Sequence, residues 1–107
     1  MEMNEYQVLA ARTINPELSR AGQVLHALHG MSAEVGEIHG IYQKSYQGHE
    51  FSQDQLQKEV GDVLWMIAEF CTAKGWNLSD VAEMNIEKLR KRYPDGFSAE
   101  KSVNRAE

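Results

Sequence analysis

The sequence predicts an all-α domain of four-helix-bundle type, and three observations carry that expectation. Apolar residues recur every three or four positions through most of the chain, the period of a helix with one buried face. The two prolines, Pro16 and Pro94, stand toward the ends and leave a long middle without breaks of that kind. No stretch alternates apolar and polar residues in the two-residue period of a strand. At 107 residues the chain reads as one domain spanning 1–107. Its core is small enough that antiparallel helices are expected to complete it by homo-oligomerisation.

The elements follow in order. A short first helix is expected over Glu5 to Thr13, with Tyr6, Leu9 and Ala10 on one face. Asn15-Pro16-Glu17 looks like the next start, because proline suits a first turn, so a second helix should run from Glu17 to Tyr46. Leu25, Leu28, Met31, Val35, Ile38 and Tyr42 make its buried stripe. Gln47-Gly48-His49-Glu50 interrupts the period, and Ser52 with Gln55 resembles a capping box that opens a third helix. There the stripe is Leu56, Val60, Val63, Ile67 and Phe70, and Lys74-Gly75 closes the element. Asn77 or Ser79 caps a fourth helix carrying Val81, Met84, Ile86 and Leu89. Its last turns hold Lys88, Arg90, Lys91 and Arg92, where cations suit the helix dipole. A polar tail follows Pro94. The second and third helices, joined by a short link, should pack antiparallel.

Composition narrows the function. A net charge of −5 argues against broad contact with nucleic acid or an anionic membrane. It does not argue against a small anionic substrate, since bound cations reverse the local field. The polar N-terminus has no apolar signal stretch, and no run approaches the roughly 18 apolar residues of a membrane span. Cys71 is the lone cysteine, so no internal disulfide forms, and a cytoplasmic location is expected.

One short pattern occurs twice: Glu34-Val35-Gly36-Glu37 and Glu59-Val60-Gly61-Asp62. Acids three apart lie on one helix face, about 60° apart around the axis. Each pair adjoins the expected stripe, with Val35 and Val60 pointing inward and the acids turned toward the partner helix. Mid-helix glycine costs about 1 kcal/mol relative to alanine. The matched Gly36 and Gly61 therefore suggest close approach of the two backbones. Four carboxylates brought together repel, and they call for protonation or for hard cations. Oxygen-only donors favour magnesium, with manganese as a substitute. A single acid pair on a helix is ordinarily a solvated face; two matched pairs beside a seam point to a metal site made by Glu34, Glu37, Glu59 and Asp62.

In these residues the chain resembles the MazG-like all-α nucleoside triphosphate pyrophosphohydrolases. The likeness also takes in Ala11-Arg12-Thr13, Lys58 to Trp65, Asn85 to Leu89 and Arg92-Tyr93-Pro94. The resemblance implies Mg²⁺-dependent hydrolysis of (deoxy)nucleoside triphosphates to monophosphate and pyrophosphate, in homodimers or homotetramers of helical bundles. It implies that Glu34, Glu37, Glu59 and Asp62 are the metal ligands and catalytic acids, and that Asn85 and Lys88 touch substrate. Many relatives read Gly-Glu-Ala-Gly-Glu where this chain has Ala33-Glu34-Val35-Gly36-Glu37, a departure that keeps the acids.

Other candidates carry plainer alternatives. Trp65, three residues past Asp62, can stack on a base or pack in the core. Lys44 and Arg12 can steer phosphates or stand on a solvated face. His49 lies in the link between the acidic helices, where substrate would enter. His26 and His29 share a face suited to zinc, though surface histidines are commoner. Cys71 falls on the apolar side of its helix, a core position. Two further readings stand beside the enzyme: a non-catalytic helical interaction module, and a relative specialised for another nucleotide, of dUTP or phosphoribosyl-ATP type.

Overall fold

Helices form where the periodicity places them. The computed structural model describes residues 1–105 and contains α1 (Met3–Ala11), α2 (Arg20–Tyr46), α3 (Gln53–Lys74), α4 (Leu78–Arg92) and α5 (Ala99–Val103). The all-α expectation holds. Ser52 Oγ accepts from the Gln55 amide at 3.2 Å and opens α3. Gly75 closes that helix in the left-handed region at φ 74°, where a side chain would be strained.

Helix α1 lies two residues earlier at each end than the expected Glu5 to Thr13, and three further features differ from the sequence reading. Helix α2 starts at Arg20, not Glu17. Asn15 Oδ1 accepts from the Glu17 amide at 3.0 Å and Asn15 O from the Leu18 amide at 3.3 Å, so Pro16 sits in a turn rather than a first helical turn. Ser19 then caps α2 through the Gly22 amide at 3.0 Å. At α4, Asn77 occupies the cap position, but its side chain does not cap. The exposed amides are met from α1 instead: Leu78 N donates to Gln7 Oε1 at 2.7 Å, and Ser79 N to Asn4 Oδ1 at 3.0 Å. The tail, read as irregular, contains α5, opened by Ser98 Oγ accepting from the Lys101 amide.

Helices α2 and α3 form an antiparallel hairpin and the largest contact in the chain. Tyr42 meets Phe51 near the link, Glu34 meets Glu59 and Asp62, Gly30 meets Met66, and His26 meets Glu69. Each step back along α2 is matched by a step forward along α3. The seam therefore runs along Ala27, Gly30, Glu34 and Ile41, residues that share one face at 3.6 per turn.

This seam lies about 100° around α2 from Val35. Val35 and Val60, expected to point inward, are both exposed, as are Leu25, Leu28 and Tyr42. The glycine inference fails for the same reason: a Cβ at Gly36 or Gly61 would meet nothing. The tight approach is at Gly30, where a Cβ would overlap the Met66 thioether.

The core lies between α1, α3 and the start of α4. Ala10, Ala68, Cys71 and Leu78 are its centre, with Tyr6, Trp65 and Ile67 packed against them. Cys71 is buried, as its helix face predicted, and burial pushes its thiol pKa up. Helix α4 touches α1 most, and its Val81, Met84, Ile86 and Leu89 remain exposed, Met84 at 73%. The radius of gyration is 17.1 Å, against about 13 Å for a compact chain of this length.

Candidate metal centre

The hairpin brings the two acidic motifs together. Carboxylate oxygens of Glu34, Glu59 and Asp62 lie within 4.8 Å of one another, two contributed by α3 and one by α2. Glu37, one turn beyond Glu34, lies outside that triplet, yet its charge acts on Glu59. Three oxygens at this spacing match a hard cation's preference for oxygen donors. Sulfur and imidazole take no part in the triplet, so the donor set suits magnesium or manganese better than zinc.

The crowding has an electrostatic signature. The Glu59 carboxyl is pushed above its ordinary 4.5 first by loss of hydration, then by Asp62, Glu34 and Glu37. Folding thus strengthens its hold on a proton. Its contribution to stability is present below the ordinary carboxylate range and lost as pH rises through the raised value. At neutral pH and without divalent ions, Glu59→Gln is therefore expected to melt higher than the parent, and the gap to close as pH falls. Magnesium should reverse that order by stabilising the parent. Thermal melts at pH 5 and 7.5, with and without Mg²⁺, read this directly; equal melting temperatures throughout would contradict the crowding.

Around the centre the expected residues separate into two groups. Glu37, Lys44 and His49 line one cavity of about 190 Å³ with Glu50 and Gln55, which sets a lysine and a histidine beside Glu37 but holds none of the converging triplet. Asn85 and Lys88 line a different, open concavity of about 1070 Å³ along α4 with Trp76 and Met84, and the two share no residue. Trp65 packs on the core and donates its indole N–H to Thr13 Oγ1 at 2.9 Å. Arg12 is exposed at the end of α1.

Two neighbours have no part in the site that the sequence predicts. Tyr6 approaches from α1; its phenol pKa is raised by burial and then by the charge of Asp62. The periodicity puts it on the apolar face of α1 with Leu9 and Ala10 and gives it no part in the site. Further along the same seam, Glu69 is 2% exposed and its Oε1 lies 2.7 Å from His26 Nδ1, while no hydrogen bond reaches Oε2. The Trp65 ring stands edge-on to His26. His26 is thus a partner for a buried carboxylate, whereas His29 is exposed. An acid inside Ala68-Glu69-Phe70-Cys71 was the available signal.

Among the described residues, no helix is long and apolar enough to cross a membrane. Residues 23–97 match the family of the MazG nucleotide pyrophosphohydrolase domain, a span that holds most of α2 and all of α3 and α4, with all four acids. Along almost its whole length the chain is also similar to the "Gene 37 protein" of Mycobacterium phage L5. The two are 28% identical over 114 residues, covering 98% of this chain and 100% of the phage protein. No solved structure matches the chain.

Proposed function

Since the chain belongs to the MazG nucleotide pyrophosphohydrolase family, we propose that it hydrolyses nucleoside triphosphates to monophosphate and pyrophosphate with magnesium held by Glu34, Glu37, Glu59 and Asp62. The observation that carries this reading is the meeting of three carboxylate oxygens from two helices at a point where Glu59 resists ionisation. A structural surface gains nothing from that repulsion; a cation site needs it.

A bound divalent cation supplies neutralisation of phosphate oxygens and a more acidic water. The chain's own residues do the rest. The acids hold and orient the charge centre, and one of them takes the proton that the attacking water releases. Lys44 and His49, beside Glu37, give cationic and hydrogen-bonding groups for phosphate oxygens. The bond that breaks is the α–β phosphoanhydride, and its electrons leave with pyrophosphate.

Asn85 and Lys88 contact the substrate in this reading, although one chain keeps them in another concavity. A second copy resolves this. The exposed Val35, Val60 and Met84 faces are covered in a homodimer or homotetramer, and α4 is carried toward an acidic centre.

The test is direct. The purified chain, given Mg²⁺ and a mixture of deoxynucleoside triphosphates, should release pyrophosphate, and Glu34→Gln should suppress it. No release from the parent, or equal release from the variant, removes the enzyme reading.

A further inference from the structure

Helix α4 is the element whose position one would least expect to be rigid. It is highly charged, it leaves most of its apolar side chains exposed, and α1 is the helix it touches most. Its direction must nevertheless be set by something, because it leaves α3 through the short segment Gly75-Trp76-Asn77. Gly75 is in the left-handed region there, and the cap residue Asn77 accepts no backbone amide, its side chain donating instead to Asp80 Oδ2 at 3.3 Å.

The bonds that do fix it come from α1. Gln7 is buried, and every polar group of its side chain is engaged. Its Nε2 donates to Trp76 O at 2.8 Å and to Thr72 Oγ1 at 3.2 Å, while its Oε1 accepts from the Leu78 amide at 2.7 Å. A single amide thereby joins the last turn of α3, the connecting segment and the first residue of α4. One turn earlier on α1, Asn4 accepts from the Ser79 amide at 3.0 Å. Amides at a helix start point along its axis, so acceptors held on them constrain the axis direction as well as the position.

Helix α1 also packs on α3, the helix that carries Glu59 and Asp62, with Tyr6 against the core they share. Tyr6 and Gln7 are adjacent, so one short helix packs on α3 and grips α4 at once. The family match begins only at residue 23, which leaves α1 outside it. The grip is a feature of this chain that the family match does not cover.

We propose that α1 is a strut that aims α4, with Gln7 and Asn4 as positioning residues for the substrate contacts made by Asn85 and Lys88. The inference rests on the pyrophosphohydrolase reading above, and specifically on α4 touching substrate. The strut acts on binding rather than on the metal. The acids sit on α2 and α3, whose mutual seam does not involve Gln7 or Asn4.

The experiment compares Asn4→Ala, Gln7→Met, Asn85→Ala and Lys88→Met in the full chain, measuring pyrophosphate release against nucleotide concentration and, separately, Mg²⁺ affinity. The strut predicts a rise in KM of roughly threefold or more for Asn4→Ala and a larger one for Gln7→Met, since small misplacements of binding groups are costly. Mg²⁺ affinity should be unchanged and kcat little altered. Asn4→Ala added to the pair Asn85→Ala and Lys88→Met should be no worse than that pair alone, because Asn4 acts through those two side chains. A merely structural role would instead lower kcat through loss of folded enzyme and leave KM in place. If Lys88→Met or Asn85→Ala raises KM while Asn4→Ala and a folded Gln7→Met do not, the strut is wrong and the pyrophosphohydrolase reading survives. If Lys88→Met and Asn85→Ala both leave KM unaltered, α4 does not touch substrate, and the strut is overturned with that part of the reading. Should Gln7→Met lose its cooperative melting transition, Asn4→Ala decides, since it removes one bond at an exposed position.

Discussion

Asp62→Asn is expected to keep its fold and lose its chemistry. The substitution preserves shape and removes one of the three charges whose oxygens converge within 4.8 Å. Losing a ligand that helps neutralise developing phosphate charge is worth several kcal/mol, so pyrophosphate release should fall by about 10³-fold or more. Without divalent ions the variant should be at least as stable as the parent, since Asp62 is the charge that raises Glu59 most. This combination separates a metal site from a structural one: a structural acid pair would lose stability on neutralisation, whereas a cation site gains it. Mg²⁺ titration followed by melting temperature supplies the second measurement. Unchanged activity together with an unchanged response to Mg²⁺ would remove Asp62 from the ligand set. Glu37→Gln should be milder, because Glu37 stands outside the triplet.

His26→Ala is expected to be the most damaging change outside the metal centre. Glu69 is buried with one oxygen on His26 and the other without a hydrogen bond, so removing the imidazole strands a carboxylate. Stranding one member of such a pair costs about 2–4 kcal/mol, the lower part of the range applying because His26 is half-exposed. Water entering beside Trp65 would soften the loss. Glu69→Leu combined with His26→Ala should recover much of the stability, because the charge that needed a partner is then absent. Urea unfolding at neutral pH measures both. If the double variant is no more stable than His26→Ala alone, the two residues do not act as a pair.

The two acidic motifs were legible because periodicity is local. Spacing of three puts both acids of a motif on one face whatever the rest of the chain does, and a short link forces neighbouring helices to run antiparallel. The same logic found Ser52 and Gly75, whose roles depend on residues within one turn. It failed at Pro16, where Asn15 took up a turn that competes with helix initiation. It failed again at Gly36 and Gly61, because a glycine's position in a helix does not say which neighbour will come close.

From its sequence alone the chain was determined to be helical, to carry four acids in two matched pairs, and to place its cysteine on a core-facing side of α3. Those properties follow from residue type and from spacing along a single helix. Only the tertiary structure decided that Glu34, Glu59 and Asp62 converge across the seam while Val35 and Val60 face outward, that Gly30 is the close approach, and that Gln7 holds α4 from the far end of the chain. The physical reason is that an α-helix with apolar residues on more than one arc can bury either arc. The choice is made by the partner surface, through contacts between residues tens of positions apart.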